Sequence, residues 1–204
     1  VLADEFLPAY DVSDGVAVVV DADAATTWEA LLDADLIEVG RRRPLAGFLG
    51  AVRMLPEIVS HLLHGEEPPS APDSLRLRDL AELPPGEGGW VLLGERPGGE
   101  IALGLIGKLW RPAIEYASVR AEEFAGFDRP GFAKTVYDLS VRPLPDGRSQ
   151  VEGVMRTATT DEHARRWFRR YWTFGVGSGA HVLVNGLLDF VRESAEQRAH
   201  GTSG

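Results

Sequence analysis

The stretch Thr159–Glu196 constrains the fold most, because its two apolar sets demand a broad partner elsewhere in the chain. Thr159-Thr160-Asp161-Glu162 reads as a helix start, with hydroxyl and acid groups placed to cap the first N–H groups and oppose the helix dipole. Ala164, Trp167, Phe168, Tyr171, Trp172 and Phe174 then recur at three- and four-residue spacing, with Arg165, Arg166, Arg169 and Arg170 between them. One side of such a helix is aromatic and the other strongly basic. A second apolar set follows at Val182, Leu183, Gly186, Leu187, Phe190 and Val191. Between the sets lies Gly175-Val176-Gly177-Ser178-Gly179, where each glycine costs a helix interior about 1 kcal/mol relative to alanine. The pattern predicts a long C-terminal helix with a kink, or a point of close backbone approach, at the glycines.

The preceding residues supply strands to receive it. Val16–Val20 is a β-branched run after Ser13-Asp14-Gly15, and Ala24–Asp33 follows with Trp28, Leu31 and Leu32 on one helical face. A second helical stretch carries Leu45, Phe48, Leu49, Val52, Leu55, Ile58, Val59, Leu62 and Leu63, interrupted by Pro56. Glu66-Glu67-Pro68-Pro69-Ser70-Ala71-Pro72 is a turn-rich connection, after which Leu75–Leu83 alternates weakly as a strand would. Gly89–Arg96 and Glu100–Trp110 flank a Pro97-Gly98-Gly99 hairpin turn. Arg111–Pro130 is irregular, with room for a covering loop or short helix. Gly131–Leu144 places Ala133, Thr135, Tyr137, Leu139 and Val141 on one face and Lys134, Asp138, Ser140 and Arg142 on the other; Ser149–Thr159 returns as the last strand. The expectation is a single α+β domain over residues 1–204, ordered from about 10 to 196, with an antiparallel meander.

Composition sets outer bounds. The net charge of −10 argues against a nucleic-acid partner, which requires a basic surface. The absence of cysteine excludes disulfides, thiolate catalysis and Cys-ligated metals. No apolar run reaches the roughly 18 residues of a membrane span, and Val1-Leu2-Ala3-Asp4-Glu5 lacks the basic then apolar pattern of a secretory signal. A soluble, cytoplasmic protein without stable membrane insertion is expected.

Several stretches resemble the START-like superfamily of polyketide cyclase/dehydrase and lipid-transport proteins. They are Val19-Val20-Asp21-Ala22 leading to Thr27-Trp28-Glu29-Ala30-Leu31, Trp90-Val91-Leu92-Leu93, Gly104 through Pro112, Gly131-Phe132-Ala133-Lys134, and Ala158-Thr159-Thr160-Asp161 before Ala164–Trp172. The resemblance implies a helix-grip fold: a curved antiparallel sheet wrapped around a long C-terminal helix, with two shorter helical segments after strand 1. It also implies an apolar cavity between sheet and helix. Many related chains carry Glu-Thr-Arg late in the last strand; here the place reads Val154-Met155-Arg156, which argues against catalysis by that acid.

The aromatic set Trp110, Tyr116, Tyr137, Phe168, Trp172 and Phe174, with Met155 and Gly175, is the expected cavity lining, although plain core packing explains such a set as well. The leading expectation is binding or transport of a hydrophobic small molecule, with neither cofactor nor metal. Alternatives are a cyclase- or dehydratase-like enzyme using Tyr116, Tyr137 or His181 as acid or base, and a protein-interaction domain whose Arg165–Arg170 face docks an acidic partner. Gly175-Val176-Gly177-Ser178-Gly179-Ala180 formally fits G-x-G-x-x-A, but it lacks the preceding strand that a dinucleotide site requires. His61 and His64, with Glu57, lack a third metal ligand. Asp138 and Arg156 alternate onto the outer face, where a surface cross-strand contact is expected. The oligomeric state is left open.

Overall fold

A computed structural model describes residues 1–42, 73–82, 89–111, 114–173 and 177–201. Its elements are α1 (Leu2–Phe6), β1 (Val12–Val20), α2 (Ala24–Leu32), α3 (Leu36–Arg42), α4 (Leu77–Glu82), β2 (Trp90–Arg96), β3 (Glu100–Gly107), α5 (Ala121–Phe124), β4 (Ala133–Pro143), β5 (Ser149–Thr159), α6 (Glu162–Tyr171) and α7 (Gly177–Gly201). The chain is therefore α+β, with a five-stranded antiparallel sheet and a long C-terminal helix.

Strands β2 to β5 form a meander, and β5 closes onto β1, giving the order β1-β5-β4-β3-β2. The hairpin between β2 and β3 turns where Gly98 adopts φ +80°, a conformation open to glycine at no steric cost. In the register Leu103 lies opposite Tyr137, and Tyr137 opposite Met155; Thr135 faces Thr157. Alternation then divides the side chains into two layers.

One layer faces α2, α4 and α7. Val16, Val18, Val20, Ile101, Leu103, Leu139, Val141 and Val151 meet Trp28, Leu31, Leu77, Leu80, Leu188, Val191 and Ala195 there. Helix α2 starts on Asp23, whose carboxylate accepts from the Ala25 and Thr26 N–H groups. Gly153 on β5 allows α7 to lie close: a Cβ at this position would stand 2.9 Å from Val184 Cγ1.

The opposite layer is a second core. Leu2, Ala3 and Leu7 around α1, together with Phe124 and Phe132, cover Val91, Leu93, Ala102, Ile106 and Val136. Packed structure thus begins at the second residue rather than near residue 10, because α1 shields a sheet face that would otherwise expose apolar side chains.

Three expectations change. Leu75–Leu83 holds the short helix α4 rather than a strand: Leu77 and Leu80 are buried at i, i+3 spacing, and Asp79 accepts from the Arg76 N–H. The C-terminal segment is described as two helices, α6 and the longer α7, which starts at Gly177. Asp138 and Arg156 do not pair across the strands at the surface. Asp138 is 3% exposed beneath α1, and Arg156 instead donates to Asp4 at 2.7 Å. The second helical stretch expected over Leu45–Leu63, including Glu57, His61 and His64, lies outside the described residues, as do Phe174 and Gly175.

Candidate functional site

The middle of the α7-facing layer carries the candidate site. Asp161 ends β5's extension and starts α6, with its carboxylate accepting from the Ala164 N–H at 2.7 Å and also from the Gly131 N–H. These bonds hold the Asp161 carboxyl below the usual carboxylate range, the one from Ala164 contributing most. Helix α6 then sets Phe168 against Leu105, Leu109 and Ala133 at one end of the sheet, with Tyr171 and Trp172 beside it. Helix α7 covers the other end through Leu188, Val191 and Ala195. Between the two coverings lie Trp90, Tyr137 and Met155.

Tyr137 is the centre of this group. Its ring packs on Trp90 with centroids 5.4 Å apart. Burial pushes its phenol up to about 12, and the nearby Tyr171 and Tyr116 phenols add to the shift. Met155 is buried beside it in the register. The Thr135 and Thr157 hydroxyls, both buried, share a hydrogen bond of 2.8 Å, so they satisfy one another. A narrow crevice lined by Asp14, Gly15, Val16, Met155, Ala180 and Val184 runs between the sheet and α7, too tight to admit a water-sized sphere. At its rim His181 Nδ1 stands 3.0 Å from Asp14 Oδ2.

The expected lining residues are thus partly gathered. Tyr137, Met155, Phe168 and Trp172 share one face of the sheet. Tyr116 stands at the rim, 40% exposed, with its ring against Gly89. Trp110 belongs to the Phe168 cluster and also lines a surface cleft with Arg111, His163 and Trp167. His181 is an Asp-paired histidine at the rim. Trp90, Tyr171 and the Thr135–Thr157 pair join the site without having been singled out. Strand alternation was the available signal for Thr135, which shares its face with Tyr137, whereas Trp90 needed the register of β2 on β3.

No group of three or more potential metal ligands occurs among the described residues, and no helix among them is long and apolar enough to cross a membrane. The G-x-G-x-x-A run is preceded by helix α6 in an antiparallel fold, so it lacks the βαβ context of a dinucleotide site. Comparison with protein-family models, with curated proteins and with solved structures finds no match.

Proposed function

We propose that this chain is a helix-grip protein that binds or carries a hydrophobic small molecule between the sheet and its C-terminal helices. The observation that supports this reading is the split covering of the sheet. Phe168 on α6 and Leu188 on α7 are fully buried, while Trp90, Tyr137, Tyr171 and Trp172 between them remain half-buried. These four rings converge on one place and keep apolar surface exposed there, while their N–H and O–H tips suit the edge of a ligand site. A lipid- or polyketide-like ligand laid against them would remove that surface from water, contributing about 25 cal/mol per Å² before the costs of association. The Tyr137 hydroxyl, kept protonated by its surroundings, is suited to donate one orienting hydrogen bond.

Native mass spectrometry beside the denatured mass tests the reading. A surplus mass lost on denaturation, and recovered as an apolar compound by organic extraction, is the expected result. Trp172→Arg should abolish the surplus in a protein that still folds; an unchanged surplus in that variant would count against the site.

A second reading is favoured by the Asp14–His181 contact. A carboxylate that fixes one imidazole nitrogen leaves the other able to exchange a proton, as a cyclase or dehydratase requires. His181→Gln that leaves ligand binding intact but removes turnover of a bound polyketide-like compound would raise this reading above simple carriage.

A further inference from the structure

A second, separate cleft lies on the surface. Trp110, Arg111, His163 and Trp167 line an open cleft of about 300 Å³, at the lower end of the range occupied by small-molecule sites. Trp110 and Arg111 come from the turn after β3. That turn is held by the Arg111 N–H to the Lys108 carbonyl at 3.0 Å, and by the Lys108 N–H to the Glu115 carbonyl at 3.0 Å. His163 and Trp167 project from successive turns of α6, with ring centroids 6.4 Å apart. The Arg170 guanidinium stacks over the outer indole at 5.4 Å, which fixes Trp167 although the residue is 44% exposed.

The charge around the cleft is positive in a chain that is acidic overall. Glu115 accepts from both Lys108 and Arg111, each at 2.8 Å, so one carboxylate balances two cations. Arg166 and Arg169 on the same helix are exposed and make no ion pair among the described residues. Two indoles offer flat apolar faces; the guanidinium and imidazole offer N–H donors at the rim. Neither feature alone selects a ligand, but together they match a planar ring bearing an anionic group.

We propose that the Trp110–Arg111–His163–Trp167 cleft binds small planar aromatic anions, such as aryl carboxylates, independently of any ligand between the sheet and α7. The ring lies along the indoles, and the carboxylate takes hydrogen bonds from Arg111 and His163. Arg111 is 53% exposed on its side chain, so replacing it leaves the core untouched.

The test is a titration of the full chain with 2-naphthoate and with its neutral counterpart 2-naphthamide, followed by ligand-observed NMR. The wild type should bind the acid at least about fivefold more tightly than the amide. Arg111→Gln should bring the two close to equality by weakening the acid alone, and Trp167→Ala should weaken both. Tyr137→Phe, which alters the inner face without adding volume, should change neither. Equal affinities for acid and amide in the wild type would overturn the proposal. So would acid binding that survives both surface substitutions, or that is weakened in Tyr137→Phe and retained in Trp167→Ala; the last result would assign the probe to the inner face instead.

Discussion

The Ala3 N–H donates to Asp138 Oδ2 at 2.7 Å, tying the first helix of the chain to the middle of β4. Next to it the Leu2 N–H donates to Glu100 Oε1 at 2.6 Å, and both carboxylates are buried. The start of α1 therefore docks its otherwise unpaired N–H groups on two acids from neighbouring strands. Arg96 donates to Glu100 at 2.6 Å from the side, partly offsetting the second charge.

Burial, with the adjacent Glu100 carboxylate, pushes the Asp138 carboxyl up to about 6 from an ordinary 3.8. A folded-state value above the unfolded one favours the protonated, folded form. The contribution is full below pH 3.8 and is lost as pH rises through about 6. Asp138→Asn keeps an acceptor for the Ala3 N–H and can donate to Glu100. It should raise the melting temperature at pH 7.5 and flatten the pH dependence between about 4 and 6, with each kcal/mol worth about 2–4 °C. Thermal melts across pH check this; a lower melting temperature at pH 7.5 would contradict it.

Gly153→Val should destabilise the fold. Its Cβ would meet Val184 Cγ1 at 2.9 Å and Leu139 Cδ2 at 3.2 Å, so α7 must retreat from β5. Overpacking of this kind costs about 1–3 kcal/mol, readable as a lower urea midpoint.

Thr135→Val should cost about 1–3 kcal/mol by leaving the buried Thr157 hydroxyl without its partner. The double substitution with Thr157→Val should recover much of that loss. Equilibrium unfolding of the single and double variants forms a cycle whose coupling would vanish if the two hydroxyls acted independently.

Tyr137 should remain un-ionised in an alkaline titration until about pH 12. Ultraviolet absorbance of the folded protein checks this, and Tyr137→Phe should remove the ionisation step near pH 12.

The sheet was legible because period-two alternation is written directly into β4 and β5, and the Pro97-Gly98-Gly99 turn fixes where β2 gives way to β3. The same alternation correctly placed Tyr137 with Thr135 and Leu139, opposite to Asp138. It could not say what covers the other face. Asp138 reads as a surface residue in any window of its own strand; only the return of α1 over β3 and β4 buries it. The α4 segment misled because Leu75 and Leu77 alternate as in a strand while Leu77, Leu80 and Leu83 follow helical spacing, and so short a stretch does not separate the two patterns.

The sequence by itself determined the α+β class, the antiparallel meander of β2 to β5, the Asp161 start of α6 and the aromatic character of that helix. These follow from spacing, capping and turn chemistry, which act between near neighbours. Tertiary structure alone decided that α6 and α7 cover different ends of the sheet, that Trp90 and Tyr137 meet across the intervening strand β3, and that α1 supplies donors to Glu100 and Asp138. Those are contacts between residues up to 135 positions apart, and the free energy that selects them is shared by the packed core rather than carried by any one segment.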